Sequence, residues 1–256
     1  HRYGNLPMVG AVATYRPGEG RFGRGAVAVE EGTENLLTPN QRSAETGTSG
    51  WATAIDGLSW GVASWGRTTA ESYHGYASIY ATTSGTISSE GVGQYVETVV
   101  GGAGKTFTLS VYVKAPVGTE MNLVLYDNNA GATFTTFTAT GQWQRVSVTR
   151  AAHATIDPKW RWSIHIREPV AVTFYVDAVQ LEAKPYATSF VDGTRAAGRL
   201  EYPQSIWNHA TGTFAAWVKT PTDVSTDRVL TLQWSKDDLT AQSRFGIRMN
   251  TSGRFV

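Results

Sequence analysis

The chain has 256 residues, with 22 Lys+Arg against 21 Asp+Glu for a formal charge of +1, 41% apolar residues, 17% charged residues and no cysteine. This near-neutral balance supplies no field to attract phosphate backbones or anionic lipid, and the missing cysteines remove disulfides, thiolate zinc sites and cysteine nucleophiles. No run approaches the ~18 apolar residues of a membrane span, so neither nucleic acid nor membrane insertion is expected.

The start, His1-Arg2-Tyr3, shows neither an initiator Met nor the apolar region of a signal peptide, and an upstream segment is expected to be lost, cleaved or left out. The length suits two ordinary domains. Residues 1–33 hold one strand, Gly25 to Glu30, after the turn-rich Arg16 to Gly20, and read as an N-terminal arm or the end of a preceding unit. Gly47 to Arg67 reads as a long Gly/Ser-rich loop bearing Trp51, Trp60 and Trp65. Strands are predicted at Tyr76 to Thr82 and Gly93 to Val100. From Phe107 strict alternation puts Phe107, Leu109, Val111 and Val113 on one face and Thr108, Ser110, Tyr112 and Lys114 on the other. After the Pro116-Val117-Gly118 turn, Met121 to Asp127 repeats the period, opposing Leu123 and Leu125 to Asn122, Val124 and Tyr126. Trp143 to Thr149, Trp160 to Arg167 and Thr173 to Leu181 supply three more strands. A polar connector at 192–198 leads to strands at Phe214 to Lys219, Arg228 to Trp234 and Arg244 to Met249, too few for an independent sandwich. The predicted fold is all-β: a jelly-roll sandwich over 34–193 followed by the beginning of a second sandwich over 194–256.

Several phrases in order resemble the carbohydrate-binding modules of families 4, 9 and 22. They are Asn35-Leu36-Leu37, Gly50-Trp51, the run Gly104 to Ala115, Gly141-Gln142-Trp143-Gln144-Arg145-Val146, and the closing Phe174-Tyr175-Val176-Asp177-Ala178-Val179-Gln180-Leu181-Glu182. The resemblance implies a galactose-binding-like jelly roll over roughly 34–191. The tail Pro185 to Ala196 resembles the phrase that follows such modules in bacteriophage tail and other virion proteins, where a laminin-G or concanavalin-like sandwich comes next. Thr213 to Lys219 is similar to the opening of that second fold, and Gly20 to Glu30 to another piece of it. The family also implies a structural calcium ion held partly by Asp177. Its usual acidic partner is missing, because Thr38-Pro39-Asn40-Gln41 stands where the family has a Glu-bearing phrase.

Nine tryptophans exceed what one β-sandwich core ordinarily needs, and flat rings with polar neighbours are the usual means of gripping a pyranose. In the strand around Trp160, the rings of Trp160 and Trp162 share the core face with Ile164 and Ile166. The other face sets Lys159, Arg161, Ser163, His165 and Arg167 in a row. With Tyr112 and Tyr126 this face is either a glycan platform or a solvated sheet surface. Trp51, Trp60 and Trp65 either contact a ligand from the loop or plug one end of the sandwich. Trp143 resembles the family's structural tryptophan, and Trp217 and Trp234 suit the core of the second unit.

Catalytic readings fare worse. Gly101 to Thr106 mimics a phosphate loop but has Val99 where the pattern needs glycine, and a strand follows where a helix is required. The five histidines show no paired metal spacing. Glu30, Glu31, Glu34, Glu90, Glu97 and Asp127 are available carboxylates, yet no Glu-x-Asp-x-Glu strand or Gly-x-Ser-x-Gly elbow is present. The expected function is therefore non-enzymatic: a virion surface or tail component, homo-oligomeric with other virion subunits as partners, binding cell-surface polysaccharide. The alternatives are a carbohydrate-binding accessory module of a secreted glycoside hydrolase, and an architectural domain that glues subunits together without sugar.

Overall fold

A computed structural model describes residues 30–53, 61–96, 104–127, 131–153 and 160–198 in full, and the backbone alone of strands at 10–12, 14–16, 26–28, 54–55, 58–59, 199–201, 228–235 and 242–249. Ten strands build the sandwich: β1 (Trp51–Ala52), β2 (Ser64–Thr68), β3 (Ser78–Thr82), β4 (Gly91–Val96), β5 (Thr106–Lys114), β6 (Glu120–Asp127), β7 (Gly131–Thr138), β8 (Gln144–Ala151), β9 (Trp160–Ile166) and β10 (Thr173–Glu182). Sheet I has the order β7-β6-β9-β4-β1 and sheet II the order β8-β5-β10-β3-β2, with every pairing antiparallel. The jelly-roll expectation holds.

Alternation explains why these segments pair as they do. Phe107, Leu109, Val111 and Val113 of β5 and Met121, Leu123 and Leu125 of β6 are all buried, and face Trp160, Trp162, Phe174 and Leu181 in one core. The expected core roles of Trp160 and Trp162 are observed. Trp162 needs a polar partner for its indole N–H. It donates to Gln94 Oε1 at 3.1 Å, and Gln94 Nε2 passes the chain on to the Gln41 carbonyl at 2.9 Å. Gln41 belongs to the single-turn helix α1 (Pro39–Arg42) and donates through Nε2 to the Tyr95 carbonyl at 2.6 Å. The phrase that departs from the resembled family thus forms a helical plug on the end of the sandwich.

The stretch expected to be one long loop is more structured. It contains β1, a short hairpin pairing Ala54–Ile55 with Leu58–Ser59, and β2. The strand β7 was not anticipated. Phe134 and Phe137, three residues apart, fall on opposite faces, so the segment has no apolar side for a period-2 reading to find.

Both ends of the sandwich meet. Thr33–Glu34 pairs with Thr194–Arg195, and Asn35 N–H donates to the Gly193 carbonyl at 2.7 Å. Beneath this joint Glu182, fully buried, accepts from Thr33 Oγ1, Gln180 Nε2 and the N–H and hydroxyl of Thr188. Gly10–Val12 pairs with Arg199–Glu201, and Thr14–Arg16 with Ala26–Ala28, the observed part of the strand expected from Gly25.

The chain divides into two compact units between Ile206 and Trp207. In the second, Arg228–Ser235 and Gln242–Met249 form an antiparallel pair, Arg228 opposite Met249. The strand expected at Phe214 to Lys219, with Trp217, lies outside the described residues, as does the side chain of Trp234.

Candidate functional site

The outer face of sheet I follows from its register. One cross-strand row reads Ala132, Tyr126, Arg161, Tyr95; the next reads Phe134, Val124, Ser163, Gly93, Ala52; a third reads Thr136, Asn122, His165, Gly91. Neighbouring strands in such a row lie about 4.8 Å apart and successive rows about 7 Å apart. The middle row is lined by Ser163, Gly93 and Ala52, all small residues, which mark a trough between an aromatic row and a polar one; its floor is buried at Gly93 and only 5% exposed at Ser163.

Arg161 faces outward yet is only 8% exposed, and its guanidinium lies over the Tyr126 ring, 3.7 Å from the ring centre. Tyr95, half-buried on β4, stands across the strand pair from Arg161 and completes the row. At the other side of the trough, burial pushes His165 down to about 4, so its ring is neutral near pH 7 and offers one donor and one acceptor. Its Nδ1 lies 3.4 Å from Ser163 Oγ. The close packing of β4 on β9 here depends on Gly91, where a Cβ would come within 2.1 Å of the Ile164 carbonyl oxygen. Arg167 sits at the exposed rim, paired with Glu120 at 3.0 Å.

Of the residues singled out from the sequence, Tyr126, Arg161, His165 and Arg167 therefore share this face. Tyr112 does not. The turn at Pro116 to Thr119, with Gly118 at φ 85°, carries the chain from sheet II to sheet I, so two tyrosines that both point away from the core end on opposite sides of the molecule. Trp51 is 6% exposed: its ring packs edge-on against Trp162 at 5.5 Å and its N–H donates to the Asn40 carbonyl at 2.7 Å. Trp65, opposite Ala81, packs on the core from β2. Both rings thus pack toward the core, Trp51 buried and Trp65 partly so. Trp60 lies outside the described residues. Sequence reasoning missed Tyr95 and the exposed Phe134. Tyr95 could have been found by continuing the alternation Val92, Gln94, Val96 to its outward partners.

Asp177 does not fit a calcium ion. Its Oδ2 accepts the N–H groups of Tyr73 and His74, both at 2.8 Å, and Oδ1 accepts the Ala178 N–H at 2.7 Å. Donor hydrogens point where a cation would sit, whereas calcium demands six to eight oxygens. Among the described residues no cluster of three or more metal-ligating side chains occurs. Burial raises the Asp177 carboxyl above its ordinary value, opposed by these N–H bonds. The carboxylate is a clasp for the loop 69–77, helped by a β-bulge that puts Ala178 at φ 47°.

Four of the carboxylates considered for catalysis are engaged in similar work, while Glu34 is exposed. Glu90, fully buried, accepts from the N–H groups of Ser84 and Gly85; Asp127, also buried, accepts from His153; Glu30 accepts the Ser189 N–H and faces Arg195 at 3.3 Å; Glu31 pairs with Lys184 at 2.8 Å. Glu97 lies outside the described residues. Gly104, at φ 75°, is followed by β5 from Thr106, a strand where a phosphate loop requires a helix.

No family model matches the chain, and no curated protein matches it. Among solved structures it is similar to the CBM22-1 xylan-binding domain from Paenibacillus barcinonensis Xyn10C, at 19% identity, covering 62% of this chain and 100% of that one with a TM-score of 0.47. It is similar to TmCBM61, solved with β-1,4-galactotriose, at 16% identity over 59% of this chain and 99% of that one, TM-score 0.46. A third similar structure is the N-terminal cellulose-binding domain from Cellulomonas fimi β-1,4-glucanase C, at 19% identity over 59% and 100%, TM-score 0.40.

Proposed function

We propose that the chain is a non-catalytic carbohydrate-binding protein that receives a glycan on the outer face of sheet I. The observation that supports this most is the row Tyr95, Arg161, Tyr126 beside the Ser163, Gly93, Ala52 trough. A pyranose has an apolar face suited to the aromatic row and a rim of hydroxyls suited to Arg161, Asn122 and neutral His165. The packing of Arg161 on Tyr126 fixes both side chains before any ligand arrives, which limits the ordering cost of binding.

The wider setting is either a virion surface, as the phrase Pro185 to Ala196 suggests by resemblance, or an accessory position in a secreted polysaccharide-degrading enzyme. The joined ends at Thr33–Glu34 and Thr194–Arg195 suit a module carried within a longer chain in either case. Genes flanking the reading frame separate them: tail or capsid neighbours support the virion and its homo-oligomeric assembly, a fused glycosidase the enzyme.

The binding claim is tested by affinity electrophoresis of the full chain in gels containing xylan, β-1,4-galactan or mixed-linkage β-glucan. Retardation on at least one polysaccharide, weakened at least tenfold by Tyr126→Ala with an unchanged circular dichroism spectrum, is expected. Free migration in all three gels would remove the proposal and leave the architectural reading.

A further inference from the structure

The opposite side of the molecule bears a second set of flat rings. Tyr112, outward on β5, is covered by Tyr73 from the loop 69–77, the two rings stacked at 3.5 Å and 14°. Trp143, half-buried before β8, stands 6.1 Å from Tyr73 at 59°, making a corner between the two ring planes. The Arg145 guanidinium lies 5.6 Å from the Tyr112 ring centre, on the strand beside it. Tyr73 remains 46% exposed and Tyr76, on the same loop, 82% exposed.

Exposed tyrosines on a loop ordinarily present a mobile and costly surface. Here two carboxylates hold the loop backbone. Asp177 accepts from the N–H groups of Tyr73 and His74; Glu45 accepts from those of Tyr76 and Ala77, at 3.0 to 3.2 Å. Burial raises the Glu45 carboxyl, but these bonds and that from Ser43 outweigh it and hold it below its ordinary value, so the clasp is charged near pH 7. His74 packs edge-on against Phe190 at 4.9 Å, fixing the middle of the loop from below. Both tyrosines flank that anchored position.

We infer that the Tyr73–Tyr112–Trp143 corner, with Tyr76 beside it in sequence, is a second sugar-binding platform on sheet II, opposite the trough of sheet I. The chemistry at its edge suits a hydroxyl-rich ligand. Lys114 and Glu71 neutralise each other at 2.7 Å, and Arg145 Nη2 is committed to Ser110 Oγ at 2.7 Å. The corner therefore offers ring faces and phenolic hydroxyls beside one guanidinium whose charge the Ser110 hydroxyl does not neutralise, a match for the apolar face and hydroxyl rim of a pyranose. A chain with platforms on both outer faces is divalent and links two polysaccharide strands without any oligomerisation.

This inference rests on the sugar-binding reading but is separable from it. Calorimetric titration of the full chain with xylohexaose, cellohexaose and a β-1,4-galacto-oligosaccharide measures the number of sites. Two oligosaccharides per chain are expected, falling to one in Tyr73→Ala/Tyr76→Ala and to one in Tyr126→Ala, with wild type but neither variant precipitating the matching soluble polysaccharide. One site lost only with Tyr126→Ala overturns the second platform and leaves the first. One site lost only with Tyr73→Ala/Tyr76→Ala supports the platform on sheet II and removes the one on sheet I. No heat with any of the three overturns both.

Discussion

The two outer faces of the sandwich present aromatic rings by different physical means. On sheet I the rings and polar groups stand on strands, and hydrogen-bond register alone sets Tyr95, Arg161 and Tyr126 in a line. On sheet II only Tyr112 comes from the strand array of that group; Tyr73 arrives on a loop whose position depends on Asp177 and Glu45. A strand-built face fails when the sheet cannot close, and a loop-built face fails when its clasp opens. Each therefore has its own vulnerable residue.

The largest effect is expected at Asp177. Its replacement by alanine leaves three backbone N–H groups without the charged acceptor they share, in a site where the side chain is 1% exposed. Hydrogen bonds to ionised groups contribute roughly 1.5 to 3 kcal/mol each and do not add fully, so a loss of about 3 kcal/mol is expected in urea unfolding. Proteolysis between Ala70 and Tyr76 should accelerate in parallel while the Tyr126 face is unaffected. Unchanged cleavage would show that the loop is held by its ring contacts instead.

Gly91→Ala attacks the other face. The added Cβ would press on the Ile164 carbonyl and on His165, backbone and side chain of the neighbouring strand, neither of which can swing aside. Overpacking of this kind costs about 2 kcal/mol. The expected signature is lost stability together with weakened polysaccharide retardation and an undisturbed loop 69–77, the reverse of the Asp177 result. If Gly91→Ala instead unfolds like wild type, β4 is free to shift and the trough is not fixed by its glycine.

The contrast also explains what the sequence discloses. Alternation along β5, β6 and β9 reveals the core faces, because one side of each strand is uniformly apolar: Phe107 to Val113 and Trp160 to Ile166 need no tertiary information. It also assigns Tyr126, Arg161 and His165 to a common outward side. It does not reveal which sheet a strand joins, and Tyr112 was grouped with Tyr126 for that reason. The tryptophans at 51 and 65 sit among glycines and serines that hide their strands, since β1 has two residues and β2 pairs on one edge only. The clasp was invisible altogether. Asp177 and Tyr73 are 104 positions apart, and a carboxylate receiving backbone N–H groups leaves no pattern in side-chain types.

The smallest effect is a pH dependence that belongs to sheet I alone. Burial holds His165 down to about 4 in the folded chain, whereas in the unfolded chain it titrates near 6.5. The unfolded state takes up the proton first, so the stability that this residue contributes is present above about pH 6.5 and is lost as pH falls toward 4. The full shift corresponds to about 3 kcal/mol, and solvent reaching the half-buried ring reduces what is observed to about 1 kcal/mol between pH 7 and pH 5. His165→Asn cannot take the proton and retains a polar edge toward Ser163. Unfolding free energies of wild type and variant, measured in urea across that range, should converge by about 1 kcal/mol as the pH drops, the variant being the less pH-sensitive. Parallel curves would mean that water or a shifted partner solvates His165 in the folded state, and that the polar side of the trough is more open than its packing indicates.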